Sequence, residues 1–244
     1  MKPTIAPRVK ICCIASVREA RMAIDYGASA LGLVSAMPSG PGPISEDLIA
    51  EIAASIPPPV MSVLLTSKQD AESIIEQQRR TRVSAIQLVD HLHHGAHHEL
   101  RRALPGIPLI QVIHVKDRES VEEAIAISPH VDALLLDSGN QSAAVKELGG
   151  TGRVHDWSIS SRIRVSADIP VFLAGGLTPE NVRRAVRYVR PFALDVCTGV
   201  RTDGKLDEAK LRQFFSEVAA ADRSSHDDLV LRSKVSAEQH AVAH

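Results

Sequence analysis

The sequence predicts an α/β fold in which short buried strands alternate with helices, and three observations predict it. Eight β-branched or aliphatic runs recur along the chain. Their continuous apolar character suits parallel strands that are buried on both faces. The segments between the runs carry helix-start signals. Eight strand–helix units of this length close most naturally into a (β/α)8 TIM barrel, whose active site lies at the carboxyl ends of the strands.

The predicted strands follow one another at regular intervals, with one exception. Between the sixth and seventh strands the chain inserts a long glycine-rich loop, from Ser138 to about His155. A barrel connection needs only a few residues, so we attribute the extra length to function. The predicted strands are Val9–Ile14, Ala30–Val34, Val60–Leu65, Ala85–Val89, Leu109–His114, Val131–Leu136, Val171–Ala174 and Phe192–Val196.

Several helix boundaries are visible in the sequence. Ser16 with Glu19 forms a capping box, and Gly27 closes the first helix. Thr178-Pro179 places a cap before a helix-compatible proline. We expect one barrel domain over residues 1–221. We expect the polar residues 222–244 to form a flexible C-terminal tail, and we favour disorder there over a partner contact.

Composition excludes several classes of protein. A formal net charge of −1 and an aromatic content of 3% give no basis for binding nucleic acid. No apolar stretch reaches the roughly 18 residues of a membrane span, and no cleavable leader is evident, so we expect a cytoplasmic protein without membrane contact. Its cysteines are Cys12, Cys13 and Cys197, an odd number with two adjacent, which indicates reduced thiols.

Three glycine-bearing turns follow predicted strands in the second half of the chain. They are Gly149–Gly152, Ala174–Leu177 and Thr198–Val200. Glycine lets the backbone approach an anion and present its N–H groups, and a helix N-terminus beyond the turn adds partial positive charge. The pattern predicts a phosphate site in the loops after strands 6, 7 and 8, and hence a phosphorylated small molecule as ligand.

Two reactive side chains stand at predicted strand ends. Cys12 ends the first strand and Asp137 ends the sixth, so the two can face each other across the barrel mouth. A thiolate and a carboxylic acid there form a base and acid pair. A structural interpretation of the two residues is equally well supported: Cys12 is a small core residue and Asp137 caps a turn.

The histidines invite a metal interpretation, which we do not favour. Five of them are packed into one stretch without a cysteine or a pair of carboxylates to complete a coordination shell, so a solvated helix face is the better interpretation. His114 is different, because it ends the fifth strand and can contact a substrate or fill a satisfied polar role. The clustered residues are His91, His93, His94, His97 and His98.

These linked motifs resemble the phosphoribosylanthranilate isomerase family over roughly residues 8 to 220. The resemblance rests on Lys10-Ile11-Cys12, Leu135-Leu136-Asp137, Gly149–Gly152 with Asp156-Trp157, Leu173–Leu177 with Pro179, and Asp195-Val196 with Gly199-Val200. It implies an isomerase of tryptophan biosynthesis that needs no cofactor or metal and that converts an aminoaldose phosphate into an aminoketose phosphate by an Amadori rearrangement. A monomer or a homodimer is expected.

The resemblance also implies roles for matching residues. Asp137 would be the general acid that opens the furanose ring, and Cys12 the general base that removes the C2 proton. The phosphate would be held by Gly150, Thr151, Gly152, Gly175, Gly176, Thr198 and Gly199. Further candidate substrate contacts are Lys10, His114, Arg153, Asp195 and Arg201.

Departures from the family pattern keep two alternatives open. Cys13 stands where the family usually has glycine, and Met37–Pro43 carries no positive charge where the family has an arginine for the anthranilate carboxylate. Arg153 or Arg201 can replace that arginine, although added charge at the phosphate site or exposure to solvent is the favoured role for both. The alternatives are an acid/base enzyme acting on another phosphorylated sugar derivative and a phosphometabolite-binding paralogue without turnover.

Overall fold

The computed structural model of the chain describes residues 6–139 and 154–221. Eight parallel strands close into a barrel in sequence order. This confirms the predicted fold class. The strands are β1 (Arg8–Ile11), β2 (Ala30–Val34), β3 (Met61–Thr66), β4 (Ala85–Leu88), β5 (Leu109–His114), β6 (Ala133–Asp137), β7 (Val171–Leu173) and β8 (Ala193–Val196).

The barrel closes between its first and last strands. β1 pairs with β8 in parallel register, with Lys10 opposite Asp195 and Ile11 opposite Val196. On its other edge β1 pairs with β2. Each barrel strand therefore has two strand neighbours, which leaves no open sheet edge in the barrel.

The first strand is shorter than the sequence predicted. It ends at Ile11 rather than at Ile14. Cys12 still donates its backbone N–H to Val196 O at 2.8 Å, but Cys13 adopts a φ of 60°. A left-handed residue cannot continue an extended strand. The chain turns at Cys13, immediately after the side chain predicted to be the catalytic base.

The helices alternate with the strands and cover the outside of the barrel. An eighth helix, α8, spans residues 208–221, and its buried Leu211, Phe214 and Val218 face the core. The other seven are α1 (Val17–Asp25), α2 (Glu46–Ser55), α3 (Ala71–Thr81), α4 (Ala96–Ala103), α5 (Glu119–Ile127), α6 (Trp157–Ser166) and α7 (Val182–Val189). The described part of the chain contains no helix of the length and apolarity that a membrane span requires.

Side-chain caps define several of these helix starts. Ser16 Oγ accepts from the backbone N–H of Glu19 at 3.2 Å, as the capping box predicts. The predicted start of a helix at Thr178-Pro179 is wrong by a few residues, because α7 begins at Val182. The Asn181 side chain accepts from the Thr178 N–H at 2.9 Å and donates to Gly176 O at 2.8 Å. These bonds hold residues 178–181 as a turn.

The strands are buried on both faces, as the continuous apolar runs predict. All five residues of β2 are buried, and successive side chains enter different clusters. Leu31 and Leu33 pack towards the helices, whereas Ala30 and Val34 belong to the cluster inside the barrel. The inner cluster fills the barrel below the carboxyl ends of the strands, so the ligand site is confined to the mouth.

A half-buried glutamate joins the start of α1 to the segment after β8. The Arg201 guanidinium donates to Glu19 Oε1 at 3.0 Å and to Oε2 at 3.1 Å. The same carboxylate accepts from the backbone N–H groups of Leu206 at 2.9 Å and Ala15 at 3.0 Å. Leu206 belongs to a short antiparallel hairpin formed by β9 (Arg201–Thr202) and β10 (Lys205–Leu206).

We predict that Glu19→Gln lowers the free energy of unfolding by about 3 kcal/mol, because it leaves the buried Arg201 charge without its partner. The matched control is Glu208→Gln, which breaks an exposed pair with Arg212 at 3.4 Å and should cost less than about 0.5 kcal/mol. Urea unfolding followed by circular dichroism measures both. Equal losses in the two variants would contradict the prediction.

The effect of Glu19→Gln should also depend on pH. Burial raises the pKa of Glu19, but the hydrogen bonds from Arg201, Leu206 and Ala15 outweigh it, so the pKa is lowered. A lowered folded-state pKa contributes stability that is complete above the unfolded value of about 4.3 and is lost as pH falls through the folded value. The difference between wild type and variant should shrink in that acidic range.

Candidate active site

An open cavity lies at the carboxyl ends of the strands. Both predicted catalytic side chains, Cys12 and Asp137, line it. The glycine-bearing loops after β7 and β8 form one part of its wall, and the segment after β2 forms another. The fold therefore brings the proposed acid and base to one cavity, although they are far apart in sequence.

Asp137 is the last residue of β6 and is half-buried. Its Oδ1 accepts from the backbone N–H of Ser138 at 2.7 Å. Burial raises the pKa of Asp137, and the negative charge of Asp195 adds to that effect, against the opposing bond from Ser138. A carboxyl group with a raised pKa keeps its proton to higher pH, as a general acid requires.

Cys12 follows β1 and is buried, with an exposed fraction of 6%. Its sulfur lies close to Gly32 of β2: a Cβ at that glycine would lie 2.8 Å from Cys12 Sγ and 3.0 Å from Lys10 Nζ. A hydrogen bond with the Cys13 side chain and the positive charge of Lys10 lower the pKa of the Cys12 thiol, although burial opposes them. A lowered pKa favours the thiolate form of a cysteine.

Lys10 and Asp195 form a buried ion pair across the β1–β8 seam. Lys10 Nζ lies 2.9 Å from Asp195 Oδ1, and Lys10 has no exposed surface. Burial by itself would lower the pKa of Lys10, but the charges of Asp195 and Cys12 hold it above its ordinary value. Asp195 also lines the cavity, whereas Lys10 lies behind the wall and acts on the site through its charge.

The loop after β7 comes close to the acid. Gly175 has a φ of 78°, and a Cβ there would lie 3.2 Å from Asp137 Oδ1 and 2.9 Å from His155 Nδ1. Any side chain at this position would crowd the Asp137 carboxyl group and the His155 ring. Burial lowers the pKa of His155 to about 4, so this imidazole is neutral beside the loop. The sequence analysis did not identify His155 as part of the site.

The loop after β8 packs directly against the loop after β7. A Cβ at Gly199 would collide with the carbonyl group of Leu177. Thr198, Gly199 and Val200 form one turn of 3-10 helix after Cys197. Of the predicted phosphate ligands, Gly175, Gly176 and Thr198 line the cavity. Gly199 is the position that lets the two loops come together.

The predicted phosphate ligands Gly150, Thr151 and Gly152 lie outside the described residues, as does Arg153. His114 is buried in β5, where its Nε2 lies 3.0 Å from Val89 O, and it does not line the cavity. The predicted phosphate contacts of the first three residues, and the predicted substrate contacts of Arg153 and His114, therefore remain predictions.

Arg201 is committed to structural contacts. Besides its pair with Glu19, the guanidinium donates to the backbone oxygens of Cys12 at 3.3 Å and of Cys13. Arg201 is buried and does not line the cavity. These contacts fix the turn that follows β1, and they do not support the predicted contact with substrate.

Gln87 is a cavity residue that the sequence analysis did not select. It lies in β4, is 3% exposed, and its Oε1 has no hydrogen-bond partner among the described residues. A buried carbonyl oxygen without a partner costs free energy unless a ligand or water satisfies it. Gln87 could have been found from the sequence, because it is a polar residue within the apolar run Ala85–Val89.

The clustered histidines do not assemble a metal site in the part of the chain described by the structure. Within those residues, no group of three histidine, cysteine, aspartate or glutamate side chains is arranged to hold a metal ion. His97 stacks near His130, with ring centroids 5.9 Å apart. The cluster lies around α4, and none of its members lines the cavity at the barrel mouth.

Known proteins match this chain over most of its length. The profile of the N-(5'-phosphoribosyl)anthranilate isomerase family matches residues 9–217. An isomerase of that name from Methanosarcina acetivorans is 35% identical over 233 residues, which is 89% of this chain and 95% of the relative.

Solved structures give the same result. Monomers derived from the dimeric phosphoribosylanthranilate isomerase of Thermotoga maritima superpose with a TM-score of 0.72 at 27% identity, covering 88% of this chain and 99% of theirs. A phosphoribosylanthranilate isomerase in complex with reduced 1-(o-carboxyphenylamino)-1-deoxyribulose 5-phosphate gives a TM-score of 0.71 at 29% identity, with the same coverage of 88% and 99%. The chain belongs to the phosphoribosylanthranilate isomerase family.

Proposed function

We propose that this protein catalyses the Amadori rearrangement of N-(5'-phosphoribosyl)anthranilate in tryptophan biosynthesis. One observation carries the proposal. Cys12 and Asp137 line one cavity, and their surroundings shift their pKa values in opposite directions, downwards for the thiol and upwards for the carboxyl. Such a pair supplies the base and the acid that the rearrangement needs.

Asp137 acts first, as the general acid. Its proton passes to the furanose ring oxygen while the bond from that oxygen to C1 breaks, which leaves a Schiff base between C1 and the amine nitrogen. The raised pKa supports this role, because the carboxyl group must carry a proton when substrate binds. Ser138 N–H then stabilises the carboxylate that is left.

Cys12 acts second, as the general base. Its thiolate removes the proton from C2, the electron pair moves into the Schiff base, and the resulting enolamine tautomerises to the ketone. Lys10 supports the thiolate from behind the wall through its positive charge. Both steps are proton transfers, and the proposal includes no cofactor and no metal.

The phosphate group is assigned to the loops after β6, β7 and β8. Gly175, Gly176 and Thr198 border the cavity on that side, and Gly199 keeps the two loops in contact. Backbone N–H groups of such turns hold phosphate without a side-chain charge. We assign Gly150, Thr151 and Gly152 to the same site on the family pattern alone.

The aglycone is assigned to the opposite side, below the segment after β2. Val34, Met37, Pro41 and Leu65 supply apolar surface there. Among the described residues of the cavity wall there is no lysine or arginine to bind the anthranilate carboxylate. Arg153 is the remaining candidate for that contact. This feature is the reason to keep a different phosphorylated sugar derivative as the second candidate substrate.

Two broader properties belong to the same proposal. We propose a cytoplasmic enzyme, as befits a step in amino-acid biosynthesis. We also keep both a monomer and a homodimer as candidate assemblies, since a relative from Thermotoga maritima is dimeric. Size-exclusion chromatography with light scattering distinguishes the two states.

The direct test is a turnover assay with N-(5'-phosphoribosyl)anthranilate, followed by loss of the substrate's fluorescence. We expect turnover by the wild type and none above background by Cys12→Ser. The serine hydroxyl keeps its proton near neutral pH, so it cannot accept one from C2 as the base. Retained affinity of Cys12→Ser for inorganic phosphate shows that the cavity is intact. No turnover by a wild-type protein that still binds phosphate would favour the second candidate substrate.

We predict that Asp137→Asn lowers kcat by about two powers of ten or more, because the amide cannot donate a proton to the ring oxygen. Affinity for inorganic phosphate should stay nearly unchanged. Asp168→Asn is the matched control, since Asp168 is exposed before β7 at the opposite end of the barrel. If Asp137→Asn lost phosphate affinity and rate together, the result would indicate that Asp137 has a structural role instead.

The pH dependence of kcat/KM should be bell-shaped. The lowered pKa of Cys12 and the raised pKa of Asp137 bring the two titrations towards each other. Both limbs should therefore lie between the ordinary carboxyl value of about 4 and the ordinary thiol value of about 8.5, as apparent constants of the pair. A rate that does not change with pH across this range would argue against the pair.

A further inference from the structure

The side chain of Gln87 points from β4 into the barrel. Its neighbours along the strand, Ile86 and Leu88, pack towards the helices. The residues two positions away, Ala85 and Val89, belong to the cluster inside the barrel. Because successive side chains of a strand point to opposite faces, Gln87 shares the inner face with Ala85 and Val89. From there it reaches the mouth of the barrel and lines the cavity.

The surroundings of Gln87 within the sheet are apolar. The residues level with it on the two adjacent strands are Leu65 of β3 and Ile110 of β5, and both belong to the inner cluster. Gln87 is 3% exposed, and no atom of the described residues forms a hydrogen bond with its Oε1. A buried amide oxygen without a partner costs free energy, so a ligand that supplies a donor gains affinity by meeting it.

Gln111 on β5 provides a contrast, because it is a buried glutamine with a structural role. Its Nε2 donates to the backbone oxygens of Leu88 and Asp90, both at 3.2 Å, and of Val112 at 3.3 Å. Its Oε1 also has no partner among the described residues, but Gln111 does not line the cavity. A ligand at the barrel mouth therefore meets the amide of Gln87 and not that of Gln111.

Gln87 faces the side of the cavity that is remote from the phosphate loops. In a closed barrel of eight strands β4 stands opposite β8, and the loop after β8 carries Thr198 at the cavity wall. Among the described residues that line the cavity, Gln87 is the only one from β4 or β5. A ligand whose phosphate is bound at the loops after β7 and β8 therefore brings its other end towards Gln87. In a sugar 5-phosphate that end carries C1 and C2.

We propose that Gln87 is a specificity-determining residue whose Oε1 accepts a hydrogen bond from the hydroxyl group on C2 of the sugar. This inference rests on the proposed function and adds a contact between the phosphate and the aglycone. In N-(5'-phosphoribosyl)anthranilate the amine N–H lies beside the ortho carboxylate and donates to it within the ligand. The C2 hydroxyl is therefore the free donor at this end of the sugar, and an amide oxygen is an acceptor for it.

The test compares ribose 5-phosphate with 2-deoxyribose 5-phosphate, which differ only in this hydroxyl group, by isothermal titration calorimetry. Wild type should bind ribose 5-phosphate about tenfold more tightly, because the deoxy ligand covers Oε1 without offering it a donor. In Gln87→Met the side chain keeps its length and loses its amide, so the two ligands should bind with equal affinity. Affinity for inorganic phosphate should be the same in wild type and variant.

Gln111→Met is the matched control, because it removes a buried glutamine amide that does not line the cavity. It should keep the preference for ribose 5-phosphate. It should also unfold at a lower urea concentration than wild type, since the bonds from Nε2 to the backbone oxygens are lost. Gln87→Met should unfold at the same urea concentration as wild type or at a higher one, because the oxygen that it removes has no partner among the described residues.

Equal affinity of wild type for the two sugar phosphates, or no binding of either, would overturn the proposal. So would a preference for ribose 5-phosphate that persists in Gln87→Met, or an equal loss of stability in the two variants, which would make Gln87 structural. The proposed function is tested separately, by turnover of N-(5'-phosphoribosyl)anthranilate. Turnover by a wild type without the preference would overturn only the role of Gln87. The preference in a protein without turnover would support the contact and overturn the proposed reaction.

Discussion

The buried ion pair between Lys10 and Asp195 ties the closure of the barrel to the chemistry of its mouth. The two residues stand opposite each other in the register of β1 and β8, with their charged atoms 2.9 Å apart. A slip of one residue at this seam would turn one of the two side chains to the other face of the sheet and leave both charges without their partner. The same pair contributes to the electrostatics of the site, because Lys10 favours the charged form of Cys12 and Asp195 disfavours that of Asp137.

The pKa shifts of Asp137 and Cys12 have opposite signs because burial raises the pKa of Asp137, whereas neighbouring groups lower that of Cys12. Burial favours the neutral form of both the Cys12 thiol and the Asp137 carboxyl. For Asp137 the charge of Asp195 acts in the same direction as burial. For Cys12 the Cys13 side chain and Lys10 act against burial and outweigh it. The Lys10–Asp195 pair contributes to both shifts, because Lys10 lowers the pKa of Cys12 and Asp195 raises that of Asp137.

Close backbone approach determines the rest of the cavity. Gly32 makes room for Cys12 and Lys10, Gly175 for the Asp137 carboxyl, and Gly199 for the loop that carries Leu177. Gly42 makes room for Cys13 from the opposite side. Each glycine lies where two loops or strands would otherwise be separated by a side chain, so close backbone packing bounds the mouth, which is apolar beneath the segment after β2.

The sequence by itself determined the eight alternating units, the strand ends that carry Cys12 and Asp137, and the glycine turns after β7 and β8, because buried periodicity and turn chemistry are local properties. Only the tertiary structure decided that Arg201 pairs with Glu19, that Cys13 turns the chain out of β1, and that Gln87 and His155 border the site. Glu19 and Arg201 are 182 positions apart, and Lys10 and Asp195 are 185 apart. The closure of the barrel determines such partners, because it pairs the first strand with the last at a register that no local pattern encodes.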